Sequence, residues 1–132
     1  MAMMSKPEVL RRRSAEFALR IIRLFRALPE TEEARIIGKQ MLRSGTSVAA
    51  NHRAVCRARS SREFISKIGI VVEEADETVF WLELLVESGI VAKPLLDSLL
   101  TEANELLAIF AASQRTARSR SRKATANDSM TQ

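Results

Sequence analysis

Between Glu32 and Val86, apolar and small residues recur every three or four positions in two runs that meet at Ser60-Ser61. This spacing is typical of amphipathic helices, each with one buried face. The predicted buried positions are Ala34, Ile37, Met41, Ser44, Val48 and Val55 in the first run, and Phe64, Ile68, Val71, Ala75, Val79, Leu82 and Val86 in the second. With only three Pro and four Gly in the chain, long helices are favoured over many short strands.

Stop and start signals divide the chain into four helices. The first is predicted from Pro7 to Leu28, with Ser5 as its N-cap, and Pro29 ends it; its predicted buried face is Leu10, Ser14, Phe17, Ile21, Leu24 and Leu28. The second is predicted over 32–59 after the cap Thr31, the third begins at Ser60 or Ser61 and ends at Ser88-Gly89, and the fourth begins at Pro94. Short links between long helices predict an all-α, antiparallel up-down four-helix bundle over residues 1–115. Residues 116–132 are rich in Ser, Arg and Thr, with little to bury, which predicts a disordered basic tail.

Small residues lie together on one side of the second helix, at Gly38, Gly45 and Ala49. Such a row lets another backbone approach closely, although each glycine inside a helix costs about 1 kcal/mol relative to alanine. A break at residues 44–47 is the alternative interpretation, but the continuous apolar stripe favours one helix.

Length and composition limit the class of protein. The 132 residues suit one domain with a real core. The single Cys excludes an internal disulfide and fits a reducing cytoplasm, which is the localisation we expect. We find no signal-peptide pattern and no run of apolar residues that would suit a membrane span.

Charge is unevenly distributed along the chain. Residues 1–62 hold fourteen Lys/Arg and five acids, a local net charge of +9; residues 63–114 have a net charge of −8, and residues 115–132 of +4. Arg outnumbers Lys sixteen to five, and its planar guanidinium suits phosphate as well as carboxylate. The basic surface is predicted to comprise Arg11, Arg35, Arg59, Arg62 and the nucleic-acid-binding candidates Arg12, Arg13, Arg20, Arg23, Arg26, Lys39, Arg43, Arg53 and Arg57.

Two groups of residues were considered for chemistry and set aside. The acidic cluster at Glu73, Glu74, Asp76 and Glu77 lacks the Glu-x-x-His pairs of a di-iron bundle, so we expect ion pairs with the Arg-rich helices and neither a metal nor another cofactor. His52 and Cys56 lie one helical turn apart, but no third residue is evident to orient a base. We expect a packed cysteine, a histidine at the surface or in an interface, and no enzymatic activity.

Aromatic residues away from the predicted core face of the third helix favour an oligomer interface, because large aromatic side chains in water are unusual. The alternative is that they pack against the fourth helix or the tail. Asn51 lies beside an apolar stripe and needs hydrogen-bond partners, as assembly-specifying asparagines do. The candidate interface residues are Gly45, Asn51, Glu74, Glu77, Phe80, Trp81 and Leu84.

An ordered set of residues over positions 43–85 carries a family resemblance. It reads Arg43-Ser44-Gly45-Thr46-Ser47-Val48, Ala50-Asn51, Phe64-Ile65-x-Lys67, Glu74-Ala75-x-Glu77-Thr78 and Trp81-Leu82. The set resembles the bacterial four-helix-bundle proteins encoded in intervening sequences of 23S ribosomal RNA genes. That resemblance implies a ring-shaped homopentamer without settled enzymatic activity. The family's Asn-x-x-Glu-Ala departs here to Asn51-His52-Arg53-Ala54-Val55, so only Asn51 is carried over.

A weaker resemblance in architecture and charge is to accessory proteins of diversity-generating retroelements, and it implies nucleic acid and a reverse transcriptase as partners. The sequence therefore favours a non-enzymatic oligomeric bundle that binds RNA or DNA through its arginine-rich surface. The alternative is a protein-interaction scaffold whose segregated charge serves self-assembly only.

Overall fold

Four helices account for most of the chain in the computed structural model, which describes residues 4–131. They are α1 (Lys6–Ala27), α2 (Glu32–Cys56), α3 (Ser61–Glu87) and α4 (Lys93–Thr131), with no strand among the described residues. Each helix packs against the next in sequence, and α1 makes a smaller contact with α4 that closes the bundle. The predicted all-α four-helix architecture is confirmed. Residues 1–3 and 132, the outer ends of the two predicted segments, lie outside the described part.

Hydroxyl side chains fix three of the helix starts. Ser5 Oγ accepts a hydrogen bond from the Glu8 amide at 3.3 Å while the Glu8 carboxylate accepts one from the Ser5 amide, so both cap donors are satisfied. Thr31 and Ser60 cap α2 and α3 with the side-chain acceptor alone: Thr31 Oγ1 accepts from the Ala34 amide at 3.3 Å and Ser60 Oγ from the Glu63 amide at 3.0 Å. These caps confirm the predicted helix starts.

The second helix ends three residues earlier than predicted. The amides of Arg57 and Ala58 donate to carbonyls only three residues back, at 3.1 Å each, which tightens the last turn and ends regular α-helix at Cys56. The Arg59 amide then donates to the Glu63 carboxylate at 3.2 Å, so it is satisfied by α3 instead of by α2.

The core consists mostly of the predicted stripes. Its largest fully buried side chains include Phe17, Ile21, Met41, Ile68, Leu82 and Phe110. Two of the predicted small residues on α2, Gly38 and Gly45, are covered by side chains from α1 and its C-cap in the same chain. Gly45 lies under Ile21 and Gly38 under Leu28 and Phe25.

The fourth helix is much longer than its neighbours. Its 39 residues span about 58 Å, against about 40 Å for the 27 residues of α3. Residues 116–131, where composition had indicated disorder, are helical in the structure, because Ala, Arg and Lys are good helix formers even where little is buried. The division of the chain at residue 115 into a bundle and a basic tail stays a prediction.

Candidate nucleic-acid interface

A groove lined by four arginines lies between the start of α1 and the end of α2, which are neighbours because the two helices run antiparallel. Its lining residues are Arg11, Arg12, Ala15, Arg53, Cys56 and Arg57, and its volume is about 570 Å³. We call it the arginine groove. Arg53 and Arg57 are one helical turn apart on α2, so their side chains lie on the same face.

The charge of the arginine groove is not neutralised within the chain. All four of its arginines are exposed, and none takes part in an ion pair with any residue that the structure describes. Glu16 lies one turn from Arg12 and is also exposed without an ion pair. Four guanidiniums around one groove repel each other, and a polyanion that enters it relieves the repulsion and accepts charge-assisted hydrogen bonds.

The predicted nucleic-acid residues fall into three groups, and the first is in the arginine groove. Arg12, Arg53 and Arg57 belong to it, together with Arg11, which the prediction placed on the basic surface but not among the candidates. Arg11 directly precedes Arg12, so the two side chains are only about 100° apart around α1. That proximity to a candidate residue was the signal that could have selected Arg11.

The second group is held by acidic or polar side chains of the same chain. Arg13 Nε donates to Glu102 at 3.1 Å and its Nη2 donates to Glu105 at 2.9 Å, which joins α1 to α4. The hydrogen bonding of Arg13 to the Glu102 carboxylate, ahead of smaller charge effects, raises the pKa of Arg13. Arg20 similarly donates to Ser98 Oγ at 2.9 Å. These arginines stabilise the bundle and are weaker candidates for phosphate.

Arg43 also belongs to this second group. It pairs with Glu77 and, at 3.3 Å, with Glu74 across the α2–α3 contact. The hydrogen bond with Glu77 is the main reason that the pKa of Arg43 is raised, and Arg43, followed by the Trp81 indole, lowers the pKa of Glu77. For Glu74 and Glu77, the expected pairing with an Arg-rich helix is therefore confirmed.

The third group lies at the opposite end of the bundle from the arginine groove. Arg23 and Arg26 are near the end of α1, and Lys39 is near the start of α2. All three are exposed and make no ion pair with the described residues. They provide a natural comparison for the arginine groove, because they carry charge of the same sign elsewhere on the same two helices.

The candidate interface residues are only partly available to a neighbouring subunit. The Phe80 side chain is 54% exposed and stands edge-on to Trp81, with ring centroids 4.9 Å apart. Trp81 and Leu84 are half-buried. Two exposed isoleucines that the prediction missed, Ile36 on α2 and Ile70 on α3, add apolar surface.

The other four interface candidates make contacts inside the chain, and those of Glu74 and Glu77 are the ion pairs with Arg43. Gly45 is covered by Ile21 of α1, so it has no surface to offer a neighbour. Asn51 Nδ2 donates to the Ser47 carbonyl at 2.9 Å, which satisfies part of the amide locally.

The expected arrangement of His52 and Cys56 is wrong, because the two residues exchange roles. His52 is 4% exposed and packs against Phe110 at a centroid distance of 5.3 Å, whereas Cys56 is exposed in the arginine groove. His52 comes four residues after Val48 and three before Val55, which places it on the buried face. Burial lowers the pKa of His52, so its ring favours the neutral form.

Residues 4–131 contain neither a metal-binding cluster nor a membrane-spanning helix. No group of three or more His, Cys, Asp or Glu side chains in this range could hold a metal ion. None of the helices there is both long and apolar enough to cross a membrane.

The chain matches one family profile and is similar to solved structures. The family profile described as 23S rRNA-intervening sequence protein matches residues 8–112. A crystal structure of a protein of unknown function from the S23 ribosomal protein family, from Bacteroides thetaiotaomicron, is 34% identical and has a TM-score of 0.78. The match covers 84% of this chain and 99% of that one. None of the curated proteins compared matches the chain.

Proposed function

The chain belongs to the 23S rRNA-intervening sequence protein family, and from this membership and its surface we propose that it is a non-enzymatic, self-assembling bundle that binds structured RNA or DNA through phosphates. The observation that carries the proposal is the arginine groove. It gathers four exposed guanidiniums on two helices, and no described carboxylate pairs with them. Phosphate is the anion that a nucleic acid presents repeatedly at short spacing.

The pairing of the other charges favours nucleic acid over a scaffold whose charge serves assembly only. If the segregated charge existed to hold subunits together, the acidic residues of α3 and α4 would need to remain available for a neighbour's arginines. Four of these acidic residues are instead paired inside one chain, Glu74 and Glu77 with Arg43 and Glu102 and Glu105 with Arg13. The α3 residues Glu73, Asp76, Glu83 and Glu87 remain exposed. Four of the arginines that make no ion pair with the described residues line the arginine groove, and an anion from outside the chain would neutralise them.

Self-assembly completes the proposal. Phe80 and its edge-on partner Trp81 leave an aromatic surface that a second subunit would cover. The homopentameric ring expected from the family resemblance would repeat the arginine groove five times, and multivalency would turn weak phosphate contacts into useful affinity. Light scattering tests this part; a monomer alone at micromolar concentration would refute it.

The binding test compares two variants with the same change in charge. In the groove variant, Arg11, Arg53 and Arg57 become Gln; in the control variant, Arg23, Arg26 and Lys39 become Gln. Labelled ribosomal RNA fragments and matched DNA are titrated with each protein at several salt concentrations. We expect the groove variant to lose most of the affinity and the control variant to keep most of it, because phosphate contacts act locally within about 10 Å at 0.1 M salt.

Three outcomes would count against the proposal. If the wild-type protein binds neither RNA nor DNA at low salt, nucleic-acid binding is wrong. If both variants lose affinity equally, only net charge matters and the arginine groove is not the site. If salt dissociates the oligomer and no nucleic acid binds, the scaffold alternative is correct.

A further inference from the structure

The end of α4 projects beyond the family fold. We call residues 113–131 the basic arm; they begin where the family match ends, at residue 112, and as helix they add about 28 Å. The arm carries five Lys/Arg and one Asp, and three of its arginines, Arg115, Arg118 and Arg122, are exposed at a spacing that puts them along one face. All three stripe residues lie beyond residue 112, the last residue that the family profile matches.

Topology places the basic arm at the same end of the bundle as the arginine groove. In an up-down bundle, α1 and α3 begin at the end where α2 and α4 finish. A cleft between the arm and the α2–α3 link agrees with this placement. It is lined by Ala58, Arg59, Ser60, Ser61 and Phe64 on one side and Ala117, Arg120, Ser121, Ala124, Thr125 and Asp128 on the other. The small residues of the arm therefore face the bundle, and the stripe of Arg115, Arg118 and Arg122 lies on another face.

The side chains at this end indicate which form of nucleic acid would fit. Proteins that bind single strands usually stack the bases on exposed aromatic rings. The aromatic residue here, Phe64, is half-buried and packs against the core, while the exposed Phe80 lies towards the opposite end of α3. The described part of this end offers guanidiniums without an exposed ring, which suits the regular phosphate rows of a duplex.

We propose that the basic arm is a second phosphate-binding element, and that it binds double-helical nucleic acid together with the arginine groove. This inference rests on the proposed function and extends it to a ligand class and to a segment outside the family fold. RNA and DNA duplexes share the phosphate chemistry. They differ in that a helix fits the major groove of B-form DNA, about 12 Å wide, but not the narrow major groove of A-form RNA.

The test uses the full-length protein and the variant Arg115→Gln/Arg118→Gln/Arg122→Gln. Gln has nearly the helix propensity of Arg, so the arm remains helical, which circular dichroism checks. The variant with Lys at the same three positions is the matched control, because it keeps the charges. The probes are 25-base-pair RNA and DNA duplexes and their separated strands, each titrated from 50 to 300 mM salt.

Counterion release sets the expected size of the effect. Each phosphate neutralised on B-form DNA contributes a slope of about −0.9 in log K against log salt, or about eightfold in affinity at 0.1 M salt. Three lost contacts reduce the slope by about 2.7 and the affinity by up to about 500-fold. We expect the Gln variant to lose at least tenfold on duplexes and the Lys variant less than threefold.

The outcomes separate this inference from the proposed function. If the groove variant loses affinity but the Gln variant of the arm does not, the arm is not a binding element, although the protein still binds nucleic acid. Equal or tighter binding of the single strands overturns the duplex assignment. If the wild-type protein binds none of the four probes, the proposed function fails as well. A loss with DNA duplex alone shows that the arm acts in the major groove, and a similar loss with both duplexes shows that it follows the backbone.

Discussion

The contact between Gly45 and Ile21 gives a stability prediction whose sign can be tested. A Cβ added at Gly45 would lie 2.8 Å from Ile21 Cγ1 and 2.9 Å from Cγ2. Both distances are well inside van der Waals contact. Ile21 is fully buried and β-branched, so it cannot turn away without disturbing its neighbours. By contrast, a Cβ added at Gly69 would meet only the end of the flexible Gln114 side chain, at 3.1 Å.

Two opposing terms decide the outcome of Gly45→Ala. Alanine gains about 1 kcal/mol of helix propensity over glycine. Overpacking a buried contact costs about 1–3 kcal/mol, and we take about 2 kcal/mol for the two close contacts with Ile21 Cγ1 and Cγ2. The net prediction is a loss of about 1 kcal/mol in the free energy of unfolding, whereas Gly69→Ala, without the clash, gains about 0.5–1 kcal/mol.

Chemical denaturation at one fixed protein concentration measures these changes, because the stability of an oligomer depends on concentration. The decisive comparison repeats Gly45→Ala in a background that carries Ile21→Ala. Without the Ile21 methyl groups, the same substitution should stabilise by about 1 kcal/mol, which gives a coupling energy of about 2 kcal/mol. Stabilisation by Gly45→Ala in the wild-type background would refute the close approach of α1 and α2 at this point.

Three further predictions concern pH and capping. Because Arg43 lowers the pKa of Glu77, the ion pair stabilises the fold above the unfolded carboxyl pKa of about 4.3, and this stabilisation is lost as pH falls through the folded pKa. The difference in unfolding free energy between wild type and Arg43→Met should therefore disappear in acid. A constant difference from pH 3 to 7 would contradict this prediction. Burial lowers the pKa of His52, so the free energy of unfolding should fall as pH drops below about 6.5. In urea unfolding between pH 5 and 7, His52→Phe should flatten this pH dependence. An unchanged profile would show that His52 is not its source. Ser60→Ala removes the α3 cap and should cost about 1 kcal/mol by the same measurement, whereas Ser60→Asp, which keeps a cap acceptor, should cost much less.

Local rules explain why the helices could be predicted from sequence. The caps Ser5, Thr31 and Ser60 act on amides within three residues, so the signals are contained in short stretches of chain. The buried stripes follow from a period of 3.6 residues. The small-residue row predicted a close backbone approach, but not that α1 of the same chain would make it, since one-dimensional periodicity does not say which neighbour a face meets.

The candidate site was harder to predict because it depends on pairing between helices. Arg12 and Arg13 are adjacent in sequence, yet Arg12 lines the arginine groove while Arg13 is held by Glu102 of α4. Which partner a long arginine side chain pairs with depends on residues of other helices, and only the packed bundle brings those residues within hydrogen-bonding distance. His52 was misplaced for another reason: its polar ring suggested exposure, whereas its position on the helix places it among buried residues.

Whether nucleic acid occupies the arginine groove can be tested directly through Cys56, the single cysteine of the sequence, which is exposed in the groove. A photo-crosslinker attached to Cys56 is activated in the presence of labelled duplex RNA or DNA. The comparison protein carries Cys56→Ser and Ala27→Cys, which moves the crosslinker to an exposed position at the opposite end of α1. The account predicts strong, salt-sensitive crosslinking from Cys56 and little from position 27. Equal crosslinking from both positions, or none from Cys56 while the nucleic acid is bound, would contradict it.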